Sequence, residues 1–175
     1  ALAVGCTVVL KPHPWTPLDA MMIAEAAEQA EIPPGVLNVI TGHGEVGDTL
    51  SAHPDVDMVT FTGSTATGRR IMASAAGTVK KLQLELGGKS AQVLLGDVSE
   101  DVARTIGFGE VLTHCGQGCV LKTRLLLPEH LLDAYKEGLA AVRDSIVVGD
   151  PRDDTTVMGP LIREQQRERV EGYVQ

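Results

Sequence analysis

From Thr7 to Leu86 four β-branched or apolar runs alternate with three helical patterns, all within ninety residues. Strands that each hand over to a helix before the next strand predict an α/β fold built on parallel pairing. Thr7-Val8-Val9-Leu10 reads as a buried strand. Thr16-Pro17 opens a helix, with Thr16 as N-cap and Pro17 at the first helical position, where its missing N–H costs nothing. Leu18, Met22, Ala26 and Ala30 recur every four residues and predict an apolar face, and Pro33-Pro34-Gly35 ends the helix. Val36 to Ile40 is the next strand, Gly42 to Gly47 a loop and Val46 to Ser51 a short helix. Val56 to Thr62 (strand), Thr65 to Ala76 (helix) and Lys80 to Leu86 (strand) complete the alternation.

Gly87-Gly88 marks a domain boundary. Beyond it the pattern predicts a strand at Ala91–Leu95, a helix from Val102 to Thr113 and a glycine-rich bend at Gly116-Gln117-Gly118. Cys119 to Leu127 follows as a strand, then a helix opened by Pro128 and running to Ser145, and a charged terminal helix after Gly159-Pro160. Of the 175 residues, 43% are hydrophobic and 22% charged, enough to build a core and to exclude a disordered or collagen-like chain. A net charge of −8 argues against nucleic acid or an anionic membrane as the main partner. Three cysteines make no disulfide framework and point to a reducing, cytoplasmic compartment. No apolar stretch reaches the roughly 20 residues of a membrane span. The run Ala1 to Leu10 has no basic segment before it and is followed by Lys11-Pro12, so it does not read as a signal peptide. A start at Ala1 and a stop at Gln175 inside an expected helix read as an excerpt of a longer protein.

Several segments carry residues suited to chemistry. Gly42-His43-Gly44-Glu45-Val46-Gly47 is a G-x-G-x-x-G between strand and helix: either a tight turn or a phosphate contact, since no ribose-binding acid stands about 20 residues on. Phe61-Thr62-Gly63-Ser64-Thr65-Ala66-Thr67-Gly68 is a second glycine loop, in which Ser64 or Thr65 caps a helix whose N–H groups favour an anion. Glu85, at the apolar strand end Leu84-Glu85-Leu86 before two glycines, is either a solvent-facing strand acid or a partly desolvated general base with a raised pKa. Cys119, after the glycine bend, is either a small buried hydrophobe or a thiolate beside backbone N–H groups that also serve an oxyanion. Cys115 is a bystander or a resolving thiol. His114 and the two cysteines lack a fourth ligand, so no metal site is expected.

Taken in order along the chain, these segments resemble the aldehyde dehydrogenase superfamily. The resemblance is carried by Gly5-Cys6-Thr7-Val8-Val9-Leu10-Lys11-Pro12 with Thr16-Pro17, by Pro33-Pro34-Gly35-Val36-Leu37-Asn38-Val39, and by Phe61-Thr62-Gly63-Ser64-Thr65 with Gly68. Leu84-Glu85-Leu86-Gly87-Gly88-Lys89-Ser90 and Gly116-Gln117-Gly118-Cys119 complete it. It implies a Rossmann-like parallel sheet of the cofactor domain over residues 1–86 and the beginning of the α/β catalytic domain over residues 87–175. It further implies Cys119 as nucleophile and Glu85 as the base for hydrolytic water. Lys11 would bond the adenosine ribose, Ser64 and the Gly63 region would hold the pyrophosphate in a cofactor-binding loop that ends at Gly68, and the Leu86 carbonyl would lie near the nicotinamide amide. The Gly42–Gly47 loop would lie beside the adenosine end. The implied reaction is oxidation of a small-molecule aldehyde to a carboxylic acid with NAD or NADP, in a cytoplasmic homo-oligomer when full length. The alternatives are an acylating, coenzyme A-dependent relative, which usually lacks the acid at Glu85, or a catalytically silent member with a structural or binding role. Two positions depart from the family's pattern: Pro14 stands where a ribose-gripping glutamate is common, and His114 where an asparagine is. The family's oxyanion asparagine would precede Ala1 and its nicotinamide-ribose glutamate would follow Gln175.

Overall fold

The structure is a computed structural model and describes residues 1–106 and 112–174. The chain divides into two compact units, Ala1–Glu85 and Leu86–Gln175.

In the first unit β1 (Val8–Leu10) and β2 (Leu37–Val39) run parallel, Val8 opposite Leu37 and Leu10 opposite Val39. The crossover between them is α1 (Leu18–Gln29), which packs on β2. Pro17, not Thr16, occupies its cap position, and no side chain caps it. Its inward stripe is Ala20, Met21, Ala24 and Ala27, while Leu18, Met22 and Ile23 are exposed. The expected every-four face was therefore wrong. Steps of four drift around a 3.6-residue helix, and α1 is apolar on nearly every side, so periodicity had little contrast with which to choose a face.

The next elements are α2 (Gly44–Ala52), β3 (Met58–Gly63), α3 (Thr65–Ala75) and β4 (Lys81–Leu86). Helix α2 begins two residues before the expected start at Val46, so Glu45 sits in its first turn, where the helix dipole favours an acid. β3 pairs with β4, and along β4 half-buried Leu82, Leu84 and Leu86 alternate with exposed Lys81, Gln83 and Glu85. Gly68, Ile71 and Ala75 form the buried stripe of α3, which packs on α2. Lys80 was expected to open the strand; it is buried instead, its ammonium donating to the carbonyls of His53 and Val56 just past the end of α2. That geometry satisfies a buried cation with carbonyl dipoles at a helix C-terminus.

In the second unit β5 (Ala91–Val93) runs parallel to β6 (Arg124–Leu126). Between them α4 (Glu100–Thr105) is capped by Ser99, whose hydroxyl accepts from the Val102 N–H at 3.3 Å. Capping and the acids Glu100 and Asp101 start this helix two residues before the expected Val102. Of the continuation expected to Thr113, residues 107–111 lie outside the described residues, and Thr113–Gly116 forms a 3-10 turn. Pro128 leads into a 3-10 turn, Glu129–Leu131, before α5 (Leu132–Ser145). Leu94, Ala103, Leu131, Ala134 and Tyr135 form the core, bordered by Val98, Ile106, Leu125, Leu127 and Leu139. Helices α4 and α5 touch at Gly138, where an added Cβ would lie 2.0 Å from the Arg104 carbonyl oxygen. The chain then forms a bridge between Val148 and Met158 and ends in α6 (Glu164–Val174), where Arg167 pairs with Glu164 and Glu171.

Candidate active site

Cys119 is exposed and sits in a turn. The expected strand from Cys119 is shorter: β6 begins only at Arg124. Leu121 explains the difference. Its N–H donates to the Gly118 carbonyl at 3.3 Å and its side chain is buried, so the chain folds back there rather than extending. A Cβ at position 118 would lie 2.9 Å from Leu121 Cγ, so a larger residue there would displace the Leu121 side chain.

Upstream the backbone takes an unusual path. His114 (φ 49°), Cys115 (φ 54°) and Gly116 (φ 73°) are consecutive left-handed residues. For the two non-glycine residues this conformation costs on the order of 1–2 kcal/mol each. Such strain persists where neighbours over-determine it, and it clusters at functional sites. The Gln117 N–H closes this turn on the His114 carbonyl at 3.1 Å, and the Cys115 thiol donates to the Gly159 carbonyl at 3.2 Å. The bend expected at Gly116–Gly118 thus starts two residues earlier, and Cys115 has a partner that the sequence did not announce.

The glycine pair after β4 comes to the same place. A Cβ on Gly88 would stand 3.9 Å from the Cys119 carbonyl oxygen, so the two backbones are near contact. Arg124 fixes this segment: its side chain donates to the Lys89 carbonyl at 2.8 Å and its N–H to the Ser90 carbonyl at 3.1 Å. Leu86, half-buried, opens the second unit. Glu85 closes the first unit and lies on the exposed phase of β4.

The remaining candidates lie in the first unit. Lys11 Nζ donates to the Pro12 carbonyl at 2.8 Å and the Gly42 carbonyl at 3.2 Å. Its Cε would be 3.7 Å from a Cβ on Gly47, so the structure brings Lys11 and the G-x-G-x-x-G loop together. Beside them Pro12, Pro14, Pro17, Thr41, Gly42 and His43 line an open cleft of about 290 Å³. His43 lines this cleft and holds the cap position of α2. Its place inside the glycine motif was the available signal. At the second glycine loop Ser64 is the cap: its hydroxyl accepts from the Thr67 N–H at 3.2 Å and shares a hydrogen bond with the Thr67 hydroxyl. Gly63 admits the Phe61 ring, which a Cβ would approach to 2.4 Å, and Gly68 is buried in α3.

The sequence profile of the aldehyde dehydrogenase family matches residues 1–175. The chain belongs to that family. It is 44% identical to the mitochondrial succinate-semialdehyde dehydrogenase of Arabidopsis thaliana, covering 100% of this chain and 33% of the relative. Among solved structures it resembles aldehyde dehydrogenase C of Pseudomonas syringae, a cysteine-to-alanine mutant complexed with NAD+ and octanal. That match has 41% identity and a TM-score of 0.93, over 98% of this chain and 36% of the other. The gamma-glutamyl-gamma-aminobutyraldehyde dehydrogenase of Burkholderia cenocepacia gives 43% identity and a TM-score of 0.92, over 99% and 36%. The α/β fold with parallel ladders is therefore the fold of this family. The chain spans about a third of the length of these relatives.

Proposed function

We propose that this chain is the central portion of an NAD(P)-dependent aldehyde dehydrogenase that converts a small-molecule aldehyde to its carboxylic acid. The observation that carries the reading is the Cys119 turn: an exposed thiol, a left-handed run before it and the Gly88 backbone against it.

The residues present suit a dinucleotide. Proline faces in the cleft offer a flat apolar bed, Lys11 adds a cation at its edge, and the Ser64-capped start of α3 directs backbone N–H groups toward an anion. Lys11 would bond the adenosine ribose, Ser64 and the Gly63 region would hold the pyrophosphate in a cofactor-binding loop that ends at Gly68, and the Leu86 carbonyl would lie near the nicotinamide amide. When bound, the cofactor accepts the electron pair and hydrogen that leave the substrate carbon.

Cys119 supplies the covalent chemistry. Its thiolate adds to the aldehyde carbonyl, forming a C–S bond and a thiohemiacetal oxyanion held by N–H donors. Oxidation of that adduct leaves a thioester on Cys119. Glu85 then takes a proton from water as the water oxygen attacks the thioester carbonyl; the C–S bond breaks and the acid is released. A carboxylate at position 85 favours hydrolysis over transfer to coenzyme A, and the presence of both Cys119 and Glu85 speaks against a silent scaffold. We also place the full-length protein in the cytoplasm as a homo-oligomer, on the strength of its free cysteines and of the family resemblance.

The reading is tested in a family-length enzyme carrying this segment, incubated with an aldehyde, NAD and coenzyme A. Free carboxylic acid is the expected product, and Cys119→Ala should form none. Acyl-coenzyme A as the main product, or undiminished turnover by Cys119→Ala, would contradict it.

A further inference from the structure

Cys115 takes no part in the proposed reaction, yet its thiol ties the strained run to a distant segment of the chain. His114 is exposed and Gly116 has no side chain, so neither offers the run a buried side-chain tie. The Cys115 thiol, part-buried, donates to the Gly159 carbonyl 44 residues further along the chain at 3.2 Å. Its acceptor stands on a braced segment. Val157 and Met158 donate to the Val147 carbonyl at 2.9 and 3.1 Å, and the Gly149 N–H donates to the Met158 carbonyl at 3.1 Å. A Cβ on Gly159 would lie 3.5 Å from Pro151 Cβ, so this segment is also packed against its own loop.

From Cys115 to Cys119 the chain makes two successive turns, closed by Gln117 N–H on His114 and Leu121 N–H on Gly118. Both turns are closed by backbone hydrogen bonds and Cys119 stands only four positions after Cys115, so a shift of Cys115 disturbs the start of the turn that presents Cys119.

We infer that Cys115 is a positioning residue for the nucleophile: its hydrogen bond to Gly159 holds the left-handed run and, through it, the turn that presents Cys119. The inference rests on Cys119 being the nucleophile. Misplacing a reacting group by about 1 Å is enough to cost on the order of 10²-fold in rate. A thiol at this point is a donor to one fixed carbonyl, and a serine hydroxyl donates in the same way.

The test uses Cys115→Ala and Cys115→Val, which both remove the donor, and Cys115→Ser, which keeps it, in the family-length enzyme. The readouts are the rate of the first-turnover NADH burst at saturating substrates, the KM for NAD and the thermal midpoint. Both donor-free variants should burst roughly 10- to 100-fold more slowly. The KM for NAD should stay at the parental value, and Cys115→Ser should recover most of the lost rate. A parental burst rate in the folded donor-free variants would overturn the inference, as would a Cys115→Ser variant no faster than Cys115→Ala. Cys119→Ala, run beside them, separates the two claims. A normal burst from that variant sinks the nucleophile assignment itself, whereas its silence beside a fast Cys115→Ala removes only the positioning role.

Discussion

Cys119 and Pro14 show how much turns on single positions. Pro14 lines the cleft beside the segment that carries Lys11, where the family commonly has a glutamate. A proline supplies neither an acceptor for ribose hydroxyls nor a negative charge to repel a 2′-phosphate. Measurable NADP turnover is expected, and Pro14→Glu should shift the ratio of kcat/KM values toward NAD. Strict NAD dependence in the parent would count against this account. Val79 makes a different point. It is a β-branched residue at φ 53° and is 89% exposed, so it carries left-handed strain with little packing in return. Asparagine tolerates that conformation, and Val79→Asn should stabilise the protein by about 1 kcal/mol in chemical denaturation. Glycines and polar caps announced much of this local geometry; the positive φ of Val79, His114 and Cys115 had no sequence signal, because none of the three is a glycine or asparagine.

At the scale of elements the pattern of alternation was legible and the ends of elements were less so. Ser99 and Ser64 fix the starts of α4 and α3 through side-chain hydrogen bonds, and such caps can be read from sequence. The face of α1 could not be, since almost every position around it is apolar. The strand expected from Cys119 failed because burial of Leu121 and crowding at Gly118 favoured a turn over extension. Two substitutions probe these elements. Ser64→Ala should cost about 1 kcal/mol by uncapping α3 and should raise the KM for the cofactor if that helix start faces phosphate. Gly138→Ala drives a methyl into the Arg104 carbonyl, so α4 and α5 must separate around their shared core. A loss of at least about 1–3 kcal/mol is expected by thermal denaturation. Unchanged stability would mean that the two helices can part without cost.

For the whole molecule, the order of motifs identified the family where single motifs could not. Glu85 and Cys119 stand 34 positions apart, each ambiguous alone, and it is their succession with Lys11 and the Ser64 loop that is specific. Exposure of Leu18, Met22, Val120 and Tyr173 suits a chain that spans a third of its relatives' length, and so isolated residues 1–175 should form no NADH from any aldehyde. The central claim assigns acylation to Cys119 and deacylation to Glu85, two steps separable in time. A single-turnover measurement on Glu85→Gln in the family-length enzyme tests it most directly. The amide keeps the shape and polarity of the side chain but cannot accept the water's proton. A burst of nearly one NADH per active site is predicted, followed by a steady state slowed roughly 10²–10⁴-fold, the usual contribution of a general base. Turnover at the parental rate would contradict the account and make Glu85 a solvent-facing strand acid.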